Sequence, residues 1–545
     1  MRDNADSDPE MKLKIQKRQQ ERMEQIAQLK TENVLDEVAL KIVKLPVLEL
    51  LEQLQSRKLT ATQVLKAYTA KALELTQRVN CVTQFIPQAP EWAANLDGLD
   101  EVQGPLHGLP IAVKEDHDIK GMDTTMCNAK LLFKPQKEHA VIVKILLKMG
   151  AVPFCKTNLP QSMFSPASEN PIYGQTTNGN MLPDDTNAGT GCIVGGGAAP
   201  IGIGSDMAGS VRIPADYHGL CSLKPTRNRL SGKGIGQAHE SDDESQLGVS
   251  GFITKSAGLL TTVMKALLEN NIQHELDFTA APVPWNETLF SCKDRLRIGY
   301  FVSLPIFPSF PDVQKTVMDA KLALESAGHE LVPFQMPDDF HHMKTNYALF
   351  AANKGSEFLK MFEGEPLSAS VLGLADTYRN PRNLWKAGDC HHRRRSLSRA
   401  ARRGMEEKEK SADDLWAIIL DKIDITLDLL ACMDEAGIDC ILSPPFPFPA
   451  IKNMDNPSEF MDAFVYTVIW NFLDFPAGGV RFGIETGANI EDYDDEDEPT
   501  FQLAKELVRD SVGMPINVQI AARPFKEELV LRVLVELEKL RDGGK

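Results

Sequence analysis

The spacing of hydrophobic and polar positions changes rhythm along the chain. Residues 10 to about 31 (EMKLKIQKRQQERMEQIAQLKT) are strong helix formers with mixed charge and a thin apolar stripe, which predicts an exposed helix lying on a domain or on a partner. From Pro46 the apolar positions crowd together. PVLELLEQLQ and LTATQVLKAYTAKALELT read as amphipathic helices, with Pro46 in a first turn and Thr60 as a cap. Between about 105 and 240 short apolar runs alternate with helix-length segments, as in LPIAVKE, VIVKILLKMG, AVPFCKTN, APIGIGSD and VRIPADYHG. That alternation predicts an α/β domain with substantially parallel strand pairing. No internal repeat is evident.

Length and charge narrow the class. A chain of 545 residues has material for a large core in one or two domains. A net charge of -17 argues against the uniformly basic surface that nucleic-acid binding favours, so no nucleic-acid partner is expected. Nine scattered cysteines, an odd number, do not form a disulfide framework and point to a reducing compartment. The polar N-terminus has no signal-peptide core, and no stretch reaches the roughly 18 apolar residues of a membrane span. The expected location is cytoplasmic or peripheral to a membrane, which makes the sequon at Asn286 a coincidence. Two charged runs, HHRRRSLSRAARR at 391–403 and EDYDDEDE at 491–498, read first as solvated loops.

The common catalytic signatures, G-x-S-x-G, H-E-x-x-H, paired C-x-x-C and G-x-x-x-x-G-K-[ST], do not occur. The glycine-rich segment Gly202-Ile203-Gly204-Ser205-Asp206-Met207-Ala208-Gly209-Ser210-Val211-Arg212-Ile213-Pro214 does. It presents a serine beside consecutive backbone N–H groups, the arrangement an oxyanion hole requires.

This segment resembles the nucleophile motif of the amidase signature family, G-[ST]-D-x-G-G-S-[IV]-R-x-P, with Ala208 at a position where the family prefers glycine. Gly108-Leu109-Pro110-Ile111-Ala112-Val113-Lys114-Glu115 is similar to the family's lysine motif. Gly513-Met514-Pro515-Ile516-Asn517-Val518-Gln519 is similar to its C-terminal G-x-P-x-x-x-Q, and Cys221-Ser222-Leu223-Lys224-Pro225-Thr226 adds a fourth motif. Within the family the resemblance is nearest to the fatty-acid amide hydrolase branch, through Asn80–Thr83, Lys156–Met163 and Leu473–Gly478.

The resemblance implies an amidase signature fold of α/β class: a twisted mixed β-sheet surrounded by helices, with a helical N-terminal extension. The boundaries expected are an N-terminal segment 1–45, an amidase domain 46–535 carrying a basic cap-like insertion at 375–412, and a tail 536–545. It also implies a serine hydrolase of carboxamides, fatty-acid amides first and esters second, that uses no metal and no organic cofactor. Ser210 is the nucleophile and Lys114 the base. The N–H groups of Met207, Ala208, Gly209 and Ser210 form the oxyanion hole, supported by an Asp206–Arg212 ion pair. The bridging hydroxyl of the family's Ser-Ser-Lys triad lies 24 positions before the nucleophile, which is Thr186 here; Thr190 takes that place only with a local deletion.

Asp184 and Asp185 replace family glycines beside Thr186, and a carboxylate within a few ångströms of Lys114 would hold it as the ammonium. Together with Ala208 they motivate an alternative, a weakened member that binds acyl amides or a partner. A second alternative is an A-type subunit of a transfer-RNA-dependent amidotransferase. The expected partners are a small acyl amide, weak contact of the 391–403 run with an anionic membrane surface, and optionally a second copy of the chain.

Overall fold

The computed structural model describes residues 8–163, 165, 168–177, 189–236, 248–269, 272–350, 352, 356–369, 371–372, 375, 410–452 and 457–543. The basic run at 391–403, Cys390 and the Asp184–Thr186 stretch lie outside the described residues.

Eleven strands form one mixed sheet: β1 (Val82–Phe85), β2 (Pro110–Lys114), β3 (Val152–Thr157), β4 (Ile201–Asp206), β5 (Cys221–Lys224), β6 (Val249–Thr254), β7 (Arg297–Tyr300), β8 (Glu330–Pro333), β9 (Cys440–Ser443), β10 (Ala477–Ile484) and β11 (Pro515–Ala522). Their order across the sheet is β1-β3-β2-β4-β6-β5-β10-β11-β9-β7-β8. Parallel pairing is confined to two wings, β3-β2-β4 on one side and β9-β7-β8 on the other. The centre, from β4 through β6, β5, β10 and β11 to β9, is antiparallel. The expected parallel pairing therefore holds where helices separate the strands in sequence and gives way in the middle.

Both faces of the sheet are covered. Along β9, Cys440 and Leu442 enter one hydrophobic core and Ile441 the other, the alternation that a strand of period two imposes. Coverage on both sides explains why runs such as LPIAVK are apolar throughout. The helix Glu527–Arg541 packs on one face, and on the other the helix Val465–Phe472 has every residue buried.

The N-terminal helix, Pro9–Glu32, is capped by the Asp8 side chain and is fastened to this domain by polar contacts. Arg18 is buried and its Nη2 lies 2.6 Å from Asp123 Oδ2. Arg22 donates to Asn80 Oδ1 at 2.7 Å and to the Val82 carbonyl at 2.6 Å. Gln25 accepts from the Phe85 N–H and donates to its carbonyl, closing the free edge of β1. The next elements follow the sequence reading: Thr60 and Gln63 form a capping box at the start of the helix Ala61–Val79. The eight described cysteines are free, and no helix among the described residues is long and apolar enough to cross a membrane.

Replacing Arg18 with alanine leaves the Asp123 carboxylate buried without its cation, which costs about 3 kcal/mol. The urea midpoint of Arg18→Ala should fall accordingly, and an unchanged midpoint would show that the N-terminal helix contributes nothing to the stability of the domain.

Candidate active site

Three parallel strands end at the same edge of the sheet. Lys114 is the last residue of β2, Thr157 the last of β3 and Asp206 the last of β4, so their side chains emerge at one rim. Ligands of α/β sheets bind outside such carboxyl ends. A pocket opens there, lined by Lys114, Asn158, Thr190 and Ser210 together with Leu159, Pro160, Met163, Ile213, Tyr217 and Phe464.

The chain leaves β4 through a turn shaped by one carboxylate. Asp206 Oδ1 accepts the Gly209 N–H at 2.8 Å, and Oδ2 accepts those of Val211 and Arg212 at 3.1 and 3.3 Å. Three amides gathered on one side chain fold the backbone back so that Ser210 stands at the tip. Gly209 adopts φ of +122°, and a Cβ there would meet Thr467 Oγ1 at 2.5 Å, so only glycine fits. Ala208 is not among the described residues at positive φ, so its Cβ meets no left-handed backbone strain. Of the four expected oxyanion donors, the Gly209 N–H donates to Asp206 Oδ1.

Arg212 returns the charge. It is buried, with Nε 3.0 Å from Asp206 Oδ2 and Nη2 2.9 Å from Oδ1, a bidentate pair. Its remaining donors reach the Thr467 carbonyl (2.9 Å), Gln519 Oε1 (3.0 Å) and Asn471 Oδ1. Burial acts to raise the Asp206 pKa, but the Arg212 guanidinium and its hydrogen bonds outweigh it and hold the carboxyl well below the usual carboxylate range. The helix Val465–Phe472 grips the same turn at two points one helical turn apart. Thr467 Oγ1 donates to the Ala208 carbonyl at 2.6 Å, and Asn471 Nδ2 donates to the Asp206 carbonyl at 2.9 Å.

Lys114 points to β4. Its Nζ donates to Ser205 Oγ at 2.8 Å and to the Ser205 carbonyl at 3.1 Å. The Ser205 hydroxyl donates in turn to Asp116 Oδ2, which lies 3.6 Å from Nζ. Asp116 is fully buried and accepts from His117 Nδ1 at 2.7 Å, while His117 Nε2 lies 3.2 Å from Ser250 Oγ. Burial pushes the Asp116 pKa up, yet Lys114, His117 and the Ser205 hydroxyl hold it below the usual range, so the carboxylate stays charged. Glu115 turns the other way and ties the Thr125 and Met126 N–H groups. Thr190, the alternative bridge, shares a 2.6 Å hydrogen bond with Thr157.

The structure thus brings Lys114, Ser210, Asp206 and Arg212 to one rim, while Thr186 falls outside the described residues. It adds Ser205, Asp116, Thr467 and Asn471, to which the sequence reading gave no part.

A model of the family described as amidase matches residues 63–531. The chain belongs to the amidase signature family. Fatty-acid amide hydrolase 1 of Sus scrofa is 32% identical over 515 residues, covering 92% of this chain and 87% of that one. Fatty acid amide hydrolase 1 of Caenorhabditis elegans is 30% identical, with 90% and 87% covered. A solved structure of a fatty acid amide hydrolase superposes with a TM-score of 0.84 over 98% of this chain and 96% of that chain, at 23% identity. This amidase is therefore a hydrolase close to the fatty-acid amide hydrolases.

Within the family fold, Asn471 supplies both an acceptor to Arg212 and donors to Asp206. Asn471→Ala strands buried polar groups on both partners, at about 2 kcal/mol. Its unfolding midpoint should drop; equal stability of Asn471→Ala and the parent would remove the helix Val465–Phe472 from the support of the turn.

Proposed function

We propose that this amidase cleaves carboxamides of apolar acids through an acyl-enzyme on Ser210. The observation that carries the reading is the meeting of the Lys114 amine and Ser210 in one pocket, at the tip of a turn whose shape is locked by Asp206 and Arg212. A serine hydroxyl is a weak nucleophile until a neighbouring base takes its proton. Ser210 Oγ adds to the amide carbon and its proton passes through the Thr186 hydroxyl to the Lys114 amine. The developing oxyanion is held by the N–H groups of Met207, Ala208 and Ser210. The C–N bond then breaks, and the amine departs with a proton returned by the relay. Water adds to the acyl-serine ester by the same route, releasing the carboxylic acid and free Ser210. No metal or organic cofactor enters these steps.

The substrate class is supported by the chemistry of the pocket and by kinship. Leu159, Pro160, Met163, Ile213 and Phe464 give the acyl side an apolar wall, and the relatives named above are fatty-acid amide hydrolases. A second reading, binding without turnover, is favoured by one observation: among the described residues Lys114 Nζ gives its hydrogen bonds to Ser205 and lies 3.6 Å from the Asp116 carboxylate, with no bond to Ser210.

A fluorophosphonate probe separates the two. Ser210 displaces fluoride from phosphorus, and intact mass reads the adduct. The wild-type protein should label at Ser210, Ser210→Ala should not label, and Lys114→Ala should label about 10²–10⁴-fold more slowly. Absence of labelling in the wild-type protein at pH 6 to 10 would favour the binding-only reading.

A further inference from the structure

Asp116 is a fully buried carboxylate that the proposed hydrolysis does not use. It follows Lys114 by two residues, in a tight turn after β2 that is closed by the His117 N–H donating to the Lys114 carbonyl at 3.1 Å. Its contacts form one continuous chain of hydrogen bonds. Lys114 Nζ donates to Ser205 Oγ, Ser205 Oγ donates to Asp116 Oδ2, and His117 Nδ1 donates to Asp116 Oδ1. A carboxylate only accepts, so His117 Nδ1 carries the proton of that bond, and Nε2 lies 3.2 Å from Ser250 Oγ.

The charges around this chain are few and assigned. On its own segment Asp116 is flanked by Glu115, bound to Thr125 and Met126, and by Asp118. From β3, Lys156 faces Glu115 at 3.9 Å and donates to the Asp123 carbonyl at 2.7 Å. From β4 come Ser205 and Asp206, the latter consumed by Arg212. Among the described residues, Lys114 and, when protonated, His117 are the cations that meet Asp116 directly.

We infer that Asp116, acting through Ser205, is a positioning residue that holds the Lys114 nitrogen against β4 in its charged form and thereby sets the pH above which the relay runs. The inference concerns Lys114 as the base and so rests on the proposed function. Its physical content is simple. Ser205 Oγ accepts a hydrogen bond from the ammonium and donates one to the carboxylate, so loss of the ammonium proton weakens two hydrogen bonds and one ion pair at once. The relay can run only after that loss. Removing the carboxylate charge releases the amine at lower pH.

The test uses the full chain with two readouts across pH 6 to 10. One is the rate of Ser210 phosphonylation by a fluorophosphonate. The other is acetylation of Lys114 by trace acetic anhydride, read by peptide mass spectrometry, which reports the neutral amine whether or not Ser210 reacts. In Asp116→Asn both midpoints should move to lower pH by about one unit or more, equivalent to a tenfold or greater gain at the foot of the curve. Asp116→Glu, which restores the charge, should return the midpoint towards the wild-type value. Ser205→Ala, which keeps the carboxylate and removes the bridge, should give a smaller shift in the same direction. Unchanged midpoints in Asp116→Asn would overturn the inference. Should Asp116→Asn not fold, an unchanged acetylation midpoint in Ser205→Ala overturns it equally. If the wild-type protein fails to phosphonylate, the hydrolase reading falls while the acetylation midpoints still decide the Asp116 pairing.

Discussion

A guanidinium with no exposure to solvent has to find acceptors for all its donors, and the way Arg212 finds them organises this molecule. Its bonds reach Asp206 at the end of β4, Thr467 and Asn471 on a helix more than two hundred residues away, and Gln519 on β11. Burying that charge is costly, and the bidentate carboxylate with three further acceptors offsets the cost only in this arrangement. The turn carrying Ser210 is therefore specified by long-range contacts rather than by its own sequence. A glycine-rich loop left to itself samples many conformations, and here the loop is fixed because Asp206 binds its amides while Arg212 binds Asp206.

The mixed topology of the sheet serves the same end. Four antiparallel pairings separate β4 from β11, so the two strands run in the same direction, and Gln519, midway along β11, reaches Arg212 from within the sheet. The parallel wing β3-β2-β4 then delivers Lys114 and Thr157 to the rim where the turn begins. The wings and the centre thus do different things: one collects the reacting groups, the other supports them.

The residues on the page at the outset already carried much of this. Family-like motifs around Lys114, Ser210 and Gln519 are local in sequence, and the local pattern of short apolar runs and caps was enough for the strands at 110–114, 152–157 and 201–206 and for the helix capped by Thr60. Ser205 was in plain view within the nucleophile motif, yet its meaning depends on which residue of β2 lies across from it, and strand register is not written in either strand alone. Asp116 could have been flagged by its i, i+2 relation to Lys114. Thr467 and Asn471 sit in a uniformly apolar helix, VYTVIWNF, where the pair of polar residues four apart was the only signal. Ala208 shows the opposite failure: a departure from a family consensus reads as strain until the backbone shows that the positive φ falls on Gly209.

The sequence raised a worry about carboxylates near the base and looked for them at Asp184 and Asp185. The described structure contains one at Asp116, in the turn that follows the strand of the lysine. The placement matters physically, because a carboxylate held by His117 and Ser205 cannot turn to water. On the proposed reading, a lysine that must be neutral to react and a carboxylate that must be charged to hold it in place make opposing demands on one proton. Ser205, hydrogen-bonded to both, is the group through which that opposition is transmitted, so a single hydroxyl links the geometry of the relay to the pH at which it works.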